Sequence, residues 1–467
     1  MASSSRPPEM TSPAMDTPAR SAPVPLLHPA VSAALARHEG LADRLPGHRH
    51  GWVRERRAAA ASAFGRQGFP TRRNEAWHYT DLRALTELRF EEALVAVDAP
   101  VMLPDGIPDA GAPRLVFLDG RFRPDLSDLD ALPEGVRVDS LSALLEAGDE
   151  ALRARLGALA SAEEGAFVAL NAMLAEDGAV ITCTAAPEMG ARLHIVSVGT
   201  ASGDRPVGFH PRHLVHVAEG AELTLFDSAH GDGETPYLNN TVAEITLGAR
   251  ARMTHVRLQA EAPSSFHVST IFAHVAEGAE YDSFALASGA RLARNEVHAT
   301  LAGQGAVAHL NGAQLGDAAR HVDTTTVITH AAPACASRQT FKSVLAGRSR
   351  AVFQGKIHVH QVAQKTDGYQ MNQALLLSPE AEIDAKPQLE IYADDVKCSH
   401  GATVGELDAD QLFYLRSRGL PVPEARALLI EAFLADALEA VKDEALRTAL
   451  SDATAAWWAR AHAEAGA

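Results

Sequence analysis

The first third of the chain has the spacing of apolar residues that is typical of α-helices. From Leu26 to Phe90 apolar side chains recur every three or four positions, and arginine-rich faces lie between them. A second block with this period runs from Ser140 to Leu174. Between the blocks, residues 114–122 (RLVFLDGRF) surround an Asp-Gly pair, which favours the positive φ angles of a tight turn. The pattern predicts a mainly helical region over residues 25–178 with a short hairpin near 114–122.

Beyond Ala179 the period changes to the alternation that is typical of β-strands. Branched and polar residues alternate in short runs, and glycine-containing turns separate these runs for some 220 residues. Four of the turns recur at intervals of 28, 30 and 27 residues, at Gly220, Gly248, Gly278 and Gly305. A turn followed by an alternating strand at such intervals favours a parallel β-helix over residues 179–405, in which each coil stacks its inward side chains on the next. A jelly roll or another antiparallel sandwich produces similar strands and is the alternative.

After Gly405 the helical period returns, which predicts a C-terminal helical region over residues 406–467. Gly419 and Pro421 divide it into at least two helices. Its apolar stripe includes Leu428, Leu429, Ala432 and Phe433. This stripe either closes the end of the solenoid or docks a partner, and the pattern leaves both options open. The predicted fold class is therefore mainly β, with a parallel β-helix core between two helical regions.

The composition of the chain argues against several classes of protein and partner. The 59 acidic residues outnumber the 42 Lys and Arg of this 467-residue chain and give a net charge of −17, which argues against nucleic acid. No window of 18 apolar residues escapes a charge, so no transmembrane segment is predicted. The three cysteines are too few for a disulfide framework and favour a reducing, cytoplasmic location. Residues 1–24 lack the apolar core of a secretory signal and are predicted to form a disordered tail.

Common enzymatic signatures are absent from the sequence. It contains no GxxxxGK[ST], GxSxG, HExxH or CxxC motif. The glycine-rich turns lie between predicted strands, so they do not present consecutive amides at the start of a helix as a phosphate-binding loop does. We therefore expect this chain not to bind ATP itself.

Two histidines near the end of the predicted β-helix are candidate metal ligands. In residues 355–360 (GKIHVH) the alternation places Lys356, His358 and His360 on one strand face. Two imidazoles at this spacing can share a metal, but no third ligand is fixed by local spacing, which favours the alternative that they belong to a polar outer face. His321 and Asp323 have the same relation and the same two interpretations.

Cys398 and His400 form a sharper candidate. They flank a single serine, so on a strand both point the same way, and a thiolate with an imidazole suits iron, zinc or copper(I). The alternatives are a buried cysteine beside a surface histidine and a Cys-His nucleophile. Two ligands do not complete a metal site, so a metal role needs groups from elsewhere in the chain or from another subunit. Cys183 and Cys335 have no local partner and are predicted to be structural.

Two other functions are compatible with the strand-face residues. A β-helix enzyme acting on carbohydrate would use acids on one strand face, and the nearest candidates are Asp384, Glu390, Asp394 and Asp395. These acids are also typical of solvated strand ends. A homo-oligomeric metal-binding protein would instead use His358 and His360.

Several motifs resemble one known family. Residues 394–405 (DDVKCSHGATVG) and 411–419 (QLFYLRSRG) are similar to the C-terminal signature of the SufB/SufD family of iron-sulfur cluster assembly proteins. Residues 73–80 (RNEAWHYT) resemble an N-terminal element of that family. The match extends through RQTFK, FQGKI, QKTD, MNQ, LLLS and KPQLEI, all within residues 338–391. The Cys-Ser-His form at 398–400 is similar to the SufD branch rather than the SufB branch.

The resemblance implies a right-handed parallel β-helix and a non-catalytic scaffold subunit. Such a subunit pairs with a SufB-like paralogue through the β-helix and binds a SufC-like ATPase, which hydrolyses ATP, through the C-terminal helices. The residues implied on the ATPase side are Phe413, Tyr414, Arg418, Gly419, Leu429 and Phe433. His400 and Cys398 would lie near the SufB interface, where His400 would help to accept iron or hold a nascent cluster.

The resemblance also has consequences for cofactors and assembly. It implies no cofactor bound stably by the isolated chain, and a transient iron-sulfur cluster shared with SufB. A flavin in the whole complex is compatible with it, although no residue of this chain indicates one. A homodimer of the isolated chain is also compatible with it.

Overall fold

The computed structural model describes residues 27–93, 103–104, 106–186, 190–200, 203–231 and 233–465. The predicted tail over residues 1–24 lies outside these ranges. The N-terminal helices are α1 (Pro29–Leu41), α2 (Gly51–Gln67), α3 (Arg83–Thr86), α4 (Leu141–Ala147), α5 (Glu150–Arg155) and α6 (Ala166–Leu174). Short 3-10 turns lie at Glu75–Trp77, Pro124–Leu126 and Leu129–Ala131. The first strands are β1 (Glu91–Glu92), β2 (Arg114–Leu118), β3 (Arg121–Phe122) and β4 (Val136–Ser140).

Capping side chains define the N-terminal helices. The Ser140 hydroxyl accepts the amide of Ala143 at the start of α4, and the Asp149 carboxylate accepts the amide of Leu152 at the start of α5. β2 and β3 form the antiparallel hairpin expected around Asp119-Gly120. Asp119 and Gly120 have φ angles of 44° and 79°, the positive values that this tight turn needs.

The centre of the molecule is a parallel β-solenoid of about seven coils, so the β-helix is confirmed and the antiparallel sandwich is not. Its strands, in chain order, are β5 (Ala179–Cys183), β6 (Ala191–Gly199), β7 (Val207–Phe209), β8 (Arg212–Val217), β9 (Glu222–Gly231), β10 (Tyr237–Leu247), β11 (Arg252–Ala260), β12 (Phe266–Val275), β13 (Glu280–Ala287), β14 (Leu292–Leu301), β15 (Val307–Gly316), β16 (His321–His330), β17 (Ala336–Leu345), β18 (Arg350–Val359), β19 (Asp367–Leu376), β20 (Glu382–Ile391) and β21 (Lys397–Gly405).

Two parallel sheets form the walls of the solenoid. Sheet A has the order β20-β18-β16-β14-β12-β10-β8-β5-β4, and sheet B has the order β21-β19-β17-β15-β13-β11-β9-β6-β2-β3. Each coil contributes one strand to each sheet, and the coils stack in register. Inward side chains at equivalent positions of successive coils therefore form ladders. One such ladder in sheet A joins Val217, Leu247, Val275 and Leu301, none of which exposes any surface. The narrow core is therefore filled by stacked aliphatic side chains.

The four glycines of the turn repeat lie in turns between strands, but one of them has a different role from the others. Gly220, Gly278 and Gly305 have positive φ angles of 60–72°, whereas at the second turn the residue with positive φ is Arg250. Gly248 is required for space instead, because a Cβ there would lie 2.6 Å from the Glu219 amide nitrogen of the previous coil.

The N-terminal motif at residues 73–80 packs on the outer face of sheet A. Trp77 lies over the buried Arg294 guanidinium, whose carbon is 4.0 Å from the ring centroid. Thr80 donates a hydrogen bond to Asp323, the ion-pair partner of Arg294, and its hydroxyl is also 2.9 Å from His321. His321 and Asp323 are therefore structural residues beneath this motif.

The C-terminal helices are α7 (Ala409–Ser417), α8 (Val422–Leu438) and α9 (Glu444–Ala465). α8 and α9 cover the outer face of sheet B, where Ile430, Leu434 and Trp457 join a core with Phe284 and Leu315. Ion pairs fix them there, from Lys342 to Asp436 and from Arg192 to Asp443. The helices thus pack on the side of the solenoid, so of the two options for the apolar stripe, closing the end of the solenoid is wrong.

The two ends of the solenoid differ. At the first end, β2 pairs with β6 and β4 pairs antiparallel with β5, so N-terminal segments cover the edges. At the other end, β20 and β21 are the outermost strands, and nothing in the described ranges pairs with their free edges. Their side chains are half-buried or exposed along their length, unlike those of the inner strands. This uncovered last coil is called the open end below.

Candidate functional site

The open end exposes a cross-section of the solenoid interior. From β20, Leu389 and Ile391 continue the inward ladders that contain the buried Ile357 and Val359 in the preceding coil. From β21, Cys398, His400, Ala402 and Val404 point inward by strand alternation. Ile391 and Val404 are 39% and 54% exposed because no further coil covers them. Apolar surface and free backbone groups at one edge are the features of an interface.

His400 lies at the end of a polar ladder within the lumen. Beneath it in successive coils of sheet B are Gln370 and Gln339, both completely buried. Gln339 accepts a hydrogen bond of 2.5 Å from Thr326, while its Nε2 and the Oε1 of Gln370 have no partner among the described residues. His400 itself is exposed. The structure therefore places an accessible imidazole over an unusually polar stretch of the solenoid core.

Cys398 lies one inward position before His400 and is half-buried. It stacks above Gly368 and Ser337 in the preceding coils. Burial raises the pKa of its thiol, and the Gly368 amide opposes that rise only in part. An open pocket of about 490 Å³ adjoins it, with Arg338, Asp367 and Lys397 in its wall. Cys398 is thus accessible from outside, but its surroundings favour the neutral thiol in the free chain.

Cys398 and His400 supply two ligands on one strand face, and their Cα atoms are about 6.6 Å apart at the usual strand rise. Within the part of the chain that the structure describes, no group of three or more His, Cys, Asp and Glu side chains is arranged to hold a metal ion. A cysteine and a histidine alone do not complete the coordination of iron or zinc. This pair can therefore act only with ligands from outside the described residues.

His358 and His360 form a separate pair on the outside of sheet A. Their ring centroids are 4.8 Å apart, as the alternation predicted, and Tyr392 lies 5.7 Å from His358. Burial and the neighbouring His360 lower the pKa of His358, so it is neutral and able to bind a metal near pH 7. The opposite acid, Glu390, is engaged by Lys356 at 2.6 Å. The pair faces away from the lumen, so the structure does not join it to His400.

The acids proposed for a carbohydrate site are mostly engaged in ion pairs. Asp384 binds Arg350 at 2.5 Å, Glu390 binds Lys356, and Asp395 lies 3.5 Å from Lys365. They are spread over the outer face of sheet A and a turn, and they do not converge on a cleft.

The other two cysteines are structural, as predicted. Cys183 and Cys335 are buried in the solenoid core, where their thiols donate to the carbonyls of Glu222 and Gly303. Burial raises both thiol pKa values. All three cysteines of the chain are free thiols.

The C-terminal residues predicted to contact an ATPase fall into two groups. Phe413 and Tyr414 on α7 are 72% and 57% exposed, and the Arg418 guanidinium stacks 5.2 Å from the Tyr414 ring. Gly419 ends α7 with a φ of 95°. Leu429 is half-buried on α8. Phe433 is also half-buried, but it packs against the solenoid, where Lys342 lies over its ring.

Sequence reasoning missed the residues that make the open end an apolar surface. Ile391, Tyr392 and Val404 are large and exposed, yet their pattern is that of any solenoid strand. The available signal was their position in the last two alternating runs before the helical period returns. Gln339 and Gln370 were also detectable, since each is a polar residue at an inward position.

Two models of known protein families match most of this chain. A family model described as the SufBD core domain of the SUF system for iron-sulfur cluster assembly matches residues 198–433. A second model, described as the N-terminal region of SufBD proteins, matches residues 39–193. The matched segments therefore include most of the helical N-terminal region and nearly all of the solenoid.

Three relatives with similar coverage are of bacterial and plant origin. An iron-sulfur cluster assembly SufBD family protein of Synechocystis is 35% identical over 401 residues, which are 83% of this chain and 87% of the relative. The iron-sulfur cluster assembly protein SufD of Escherichia coli is 35% identical over 393 residues, 82% of this chain and 88% of the relative. Protein ABCI7, chloroplastic, of Arabidopsis thaliana is 30% identical over 386 residues, 81% of this chain and 80% of the relative.

Proposed function

The chain belongs to the SufB/SufD family of iron-sulfur cluster assembly proteins and is of the SufD type, and on this premise we propose that it is a non-catalytic scaffold subunit of a SUF complex. The resemblance of residues 394–405 and 411–419 to this family is thereby confirmed. The carbohydrate-active alternative has no support from the relatives or from the ion-paired acids.

The observation that carries the proposal is the open end of the solenoid. One end is covered by the chain's own N-terminal strands, whereas β20 and β21 present free edges and exposed apolar side chains. Such an edge favours association with another sheet edge. A SufB-like paralogue, itself a member of this family, offers an end of the same architecture, so the two solenoids pair end to end.

In this arrangement the nascent cluster is cargo held at the subunit boundary. Cys398 and His400 face the partner from β21, and the partner completes the ligand set that this chain lacks. Contact with iron favours the thiolate of Cys398, which the free chain disfavours through burial. The proposal assigns this chain no resident cofactor. Its three free thiols suit a reducing compartment.

A SufC-like ATPase binds the exposed surface of α7 and the start of α8. Phe413, Tyr414 and Leu428 present large apolar side chains to solvent there, beside the Arg418 cation. The part of α8 that contains Phe433 is held against sheet B. A partner on α7 would therefore be mechanically linked through α8 to the solenoid wall.

We expect pairing with the SufB-like subunit to depend on the inward face of β21. Ala402→Asp places a charge among the stacked interior positions, where burial without a partner is strongly unfavourable. When the variant is co-expressed with its SufB and SufC counterparts and purified, we expect the amount of SufB counterpart that co-purifies to be at least tenfold lower than with the wild type. Thr403→Asp, the matched control, puts the same charge on the exposed outer face of the same strand and should leave recovery unchanged. Equal effects of the two variants would contradict pairing through the open end.

The open end also offers a surface for self-association when no paralogue is present. We propose that the isolated chain forms a homodimer through the same strands. Light scattering should then give a dimer for the wild type and Thr403→Asp, and a monomer for Ala402→Asp. A dimer that survives Ala402→Asp would place the contact elsewhere.

We expect His400 to be required for cluster retention and not for assembly. Complexes purified anaerobically with His400→Ala should contain all subunits but lose at least half of the iron-sulfur absorbance, because one ligand is gone. Ser399→Ala, the outward neighbour, should retain the wild-type spectrum. Unchanged absorbance in His400→Ala would leave this chain a purely architectural role.

A further inference from the structure

A cavity of about 180 Å³ lies in the N-terminal region, far from the open end in the order of coils. It is partly open to solvent and is lined by α2, α4, the loop over residues 156–162 and the end of α6, with β8 at its base. Most of its wall is aliphatic, with Val53, Leu141, Leu145 and Ala172 among the contributors. An apolar cavity of about 150 Å³ accommodates a benzene molecule, so this space has room for a small organic ligand.

Arg57 gives this apolar wall a buried charge that forms no ion pair with the described residues. The residue is 6% exposed and donates hydrogen bonds only to backbone carbonyls, those of Met173, Ala175 and Pro46 at 3.0–3.3 Å. Burial lowers the pKa of Arg57 to about 10, with Glu176 and Glu146 opposing the shift from a distance. The guanidinium is therefore charged at neutral pH. Its Nε–H has no acceptor among the described residues.

The second buried arginine in the wall, Arg212, differs from Arg57 because it has an ion-pair partner. Arg212 is 2% exposed and binds Glu244 at 2.8 Å, together with the Ala160 carbonyl and the Asn171 side chain. Glu244 also accepts the amides of Gly157, Leu159 and Ala160. Glu244 thus binds Arg212 and three backbone amides, and it forms no ion pair with Arg57.

A second donor in the wall also lacks an acceptor. The indole Nε1–H of Trp52 is buried and has no partner in the described part of the chain. Arg56, at the same wall, lies over the Trp52 ring at 5.9 Å and adds a further positive charge. An occupant must therefore accept hydrogen bonds, carry negative charge and fill an apolar space.

From this combination we propose that the cavity binds a small amphipathic carboxylate, with an apolar body about the size of a benzene ring. A carboxylate supplies acceptors that match guanidinium geometry, and the apolar body replaces water along the aliphatic wall. This site goes beyond the proposed function, because no strand of the open end and no residue of α7 contributes to it. It gives the N-terminal region a ligand-binding role of its own.

The test uses the full chain with benzoate as the probe and benzyl alcohol as the neutral analogue of similar shape. We expect calorimetry to show saturable benzoate binding with a dissociation constant below about 1 mM, a modest free energy for a ligand of this size. Benzyl alcohol should bind at least tenfold more weakly. Equal binding of the two compounds would overturn the proposal, because the cavity would then select only for apolar character. No saturable binding of benzoate would overturn it as well.

Three variants locate the site. Arg57→Met should weaken benzoate binding at least tenfold, and Trp52→Phe, which removes the N–H donor and keeps a smaller aromatic ring, should weaken it severalfold. Ala172→Leu fills the cavity without touching either donor and should abolish binding. This variant decides the question if Arg57→Met fails to fold after losing its three carbonyl contacts. Benzoate binding that survives Ala172→Leu would place the ligand elsewhere, and none of these results depends on cluster assembly.

Discussion

The same local spacing produces different roles at different coils of this solenoid. His321 and Asp323 are two residues apart on one strand face, as are Cys398 and His400. The first pair is covered by Thr80 and Arg294 and is satisfied within the chain. The second pair lies on the last strand, where no coil follows. The spacing of the two pairs is the same, so their different roles depend on the residues that surround each pair in the fold.

Buried imidazoles make the stability of the protein sensitive to acid. His330 is completely buried, with its Nε2 2.9 Å from the Ser337 hydroxyl. Burial lowers the pKa of His330 to about 4. In the unfolded chain the value is about 6.5, so between pH 6.5 and 4 the unfolded state binds a proton that the folded state does not. Stability from this residue is complete above pH 6.5 and is lost as the pH falls towards 4.

We expect His330→Gln to flatten this dependence. Between pH 7 and pH 5 the free energy of unfolding should fall by about 2 kcal/mol less in the variant than in the wild type, because one buried group no longer has to charge. Urea unfolding at the two pH values measures the difference. Thr403→Gln, at an exposed position that carries no titratable group, should keep the wild-type dependence. A slope in His330→Gln that equals the wild-type slope would show that His330 does not contribute.

Among the secondary-structure elements, α7 and α8 differ in what holds them. α8 buries Ala425, Ile430 and Leu434 against its neighbours, whereas α7 has no buried residue. α7 nevertheless carries two exposed aromatic rings. A helix that has no fully buried residue and exposes aromatic side chains is typical of a partner-binding element.

We expect Phe413→Ala combined with Tyr414→Ala to reduce recovery of the SufC-like ATPase at least tenfold, because exposed aromatic anchors dominate binding energy at interfaces. The measurement is ATPase co-purified from cells that express all three subunits. Val362→Ala removes an equally exposed apolar side chain from a turn of the solenoid and should have no effect. Loss of the SufB-like subunit together with the ATPase would point to a folding defect instead.

Across the whole molecule, α8 and α9 form a second hydrophobic core with the outer face of sheet B. Ile430, Leu434 and Trp457 cover Phe284 and Leu315 on the outer face of sheet B. Removing everything after Gly405 would expose this face, so such a truncation changes folding and partner binding together. Point changes on α7 separate the two effects.

We expect Trp457→Ala to lower the free energy of unfolding by about 3 to 4 kcal/mol, the range for deleting a large buried aromatic side chain. Phe413→Ala, at a ring that is 72% exposed, should stay within about 0.5 kcal/mol of the wild type. The urea midpoints of the three proteins provide the comparison. A midpoint for Trp457→Ala close to that of the wild type would mean that α9 does not stabilise the solenoid.

The sequence determined the alternation, the turns and the periods, because these depend on residues close together in the chain. It predicted the solenoid, the hairpin at Asp119-Gly120, the shared face of His358 and His360, and the orientation of Cys398 with His400. It also carried the family motifs at residues 394–405 and 411–419, which are local patterns of residue type.

Tertiary structure decided which surfaces are covered. Whether α8 lies on the side or the end of the solenoid depends on contacts such as Lys342 with Asp436, which are 94 residues apart. One end of the solenoid is covered because β2 and β4 pair with its first strands, and the other end stays open. Phe433 packs against sheet B through contacts with residues that are distant in the sequence, such as Lys342. Burial is a property of the whole packed chain, so short-range periodicity predicts which residues share a face but not what that face meets.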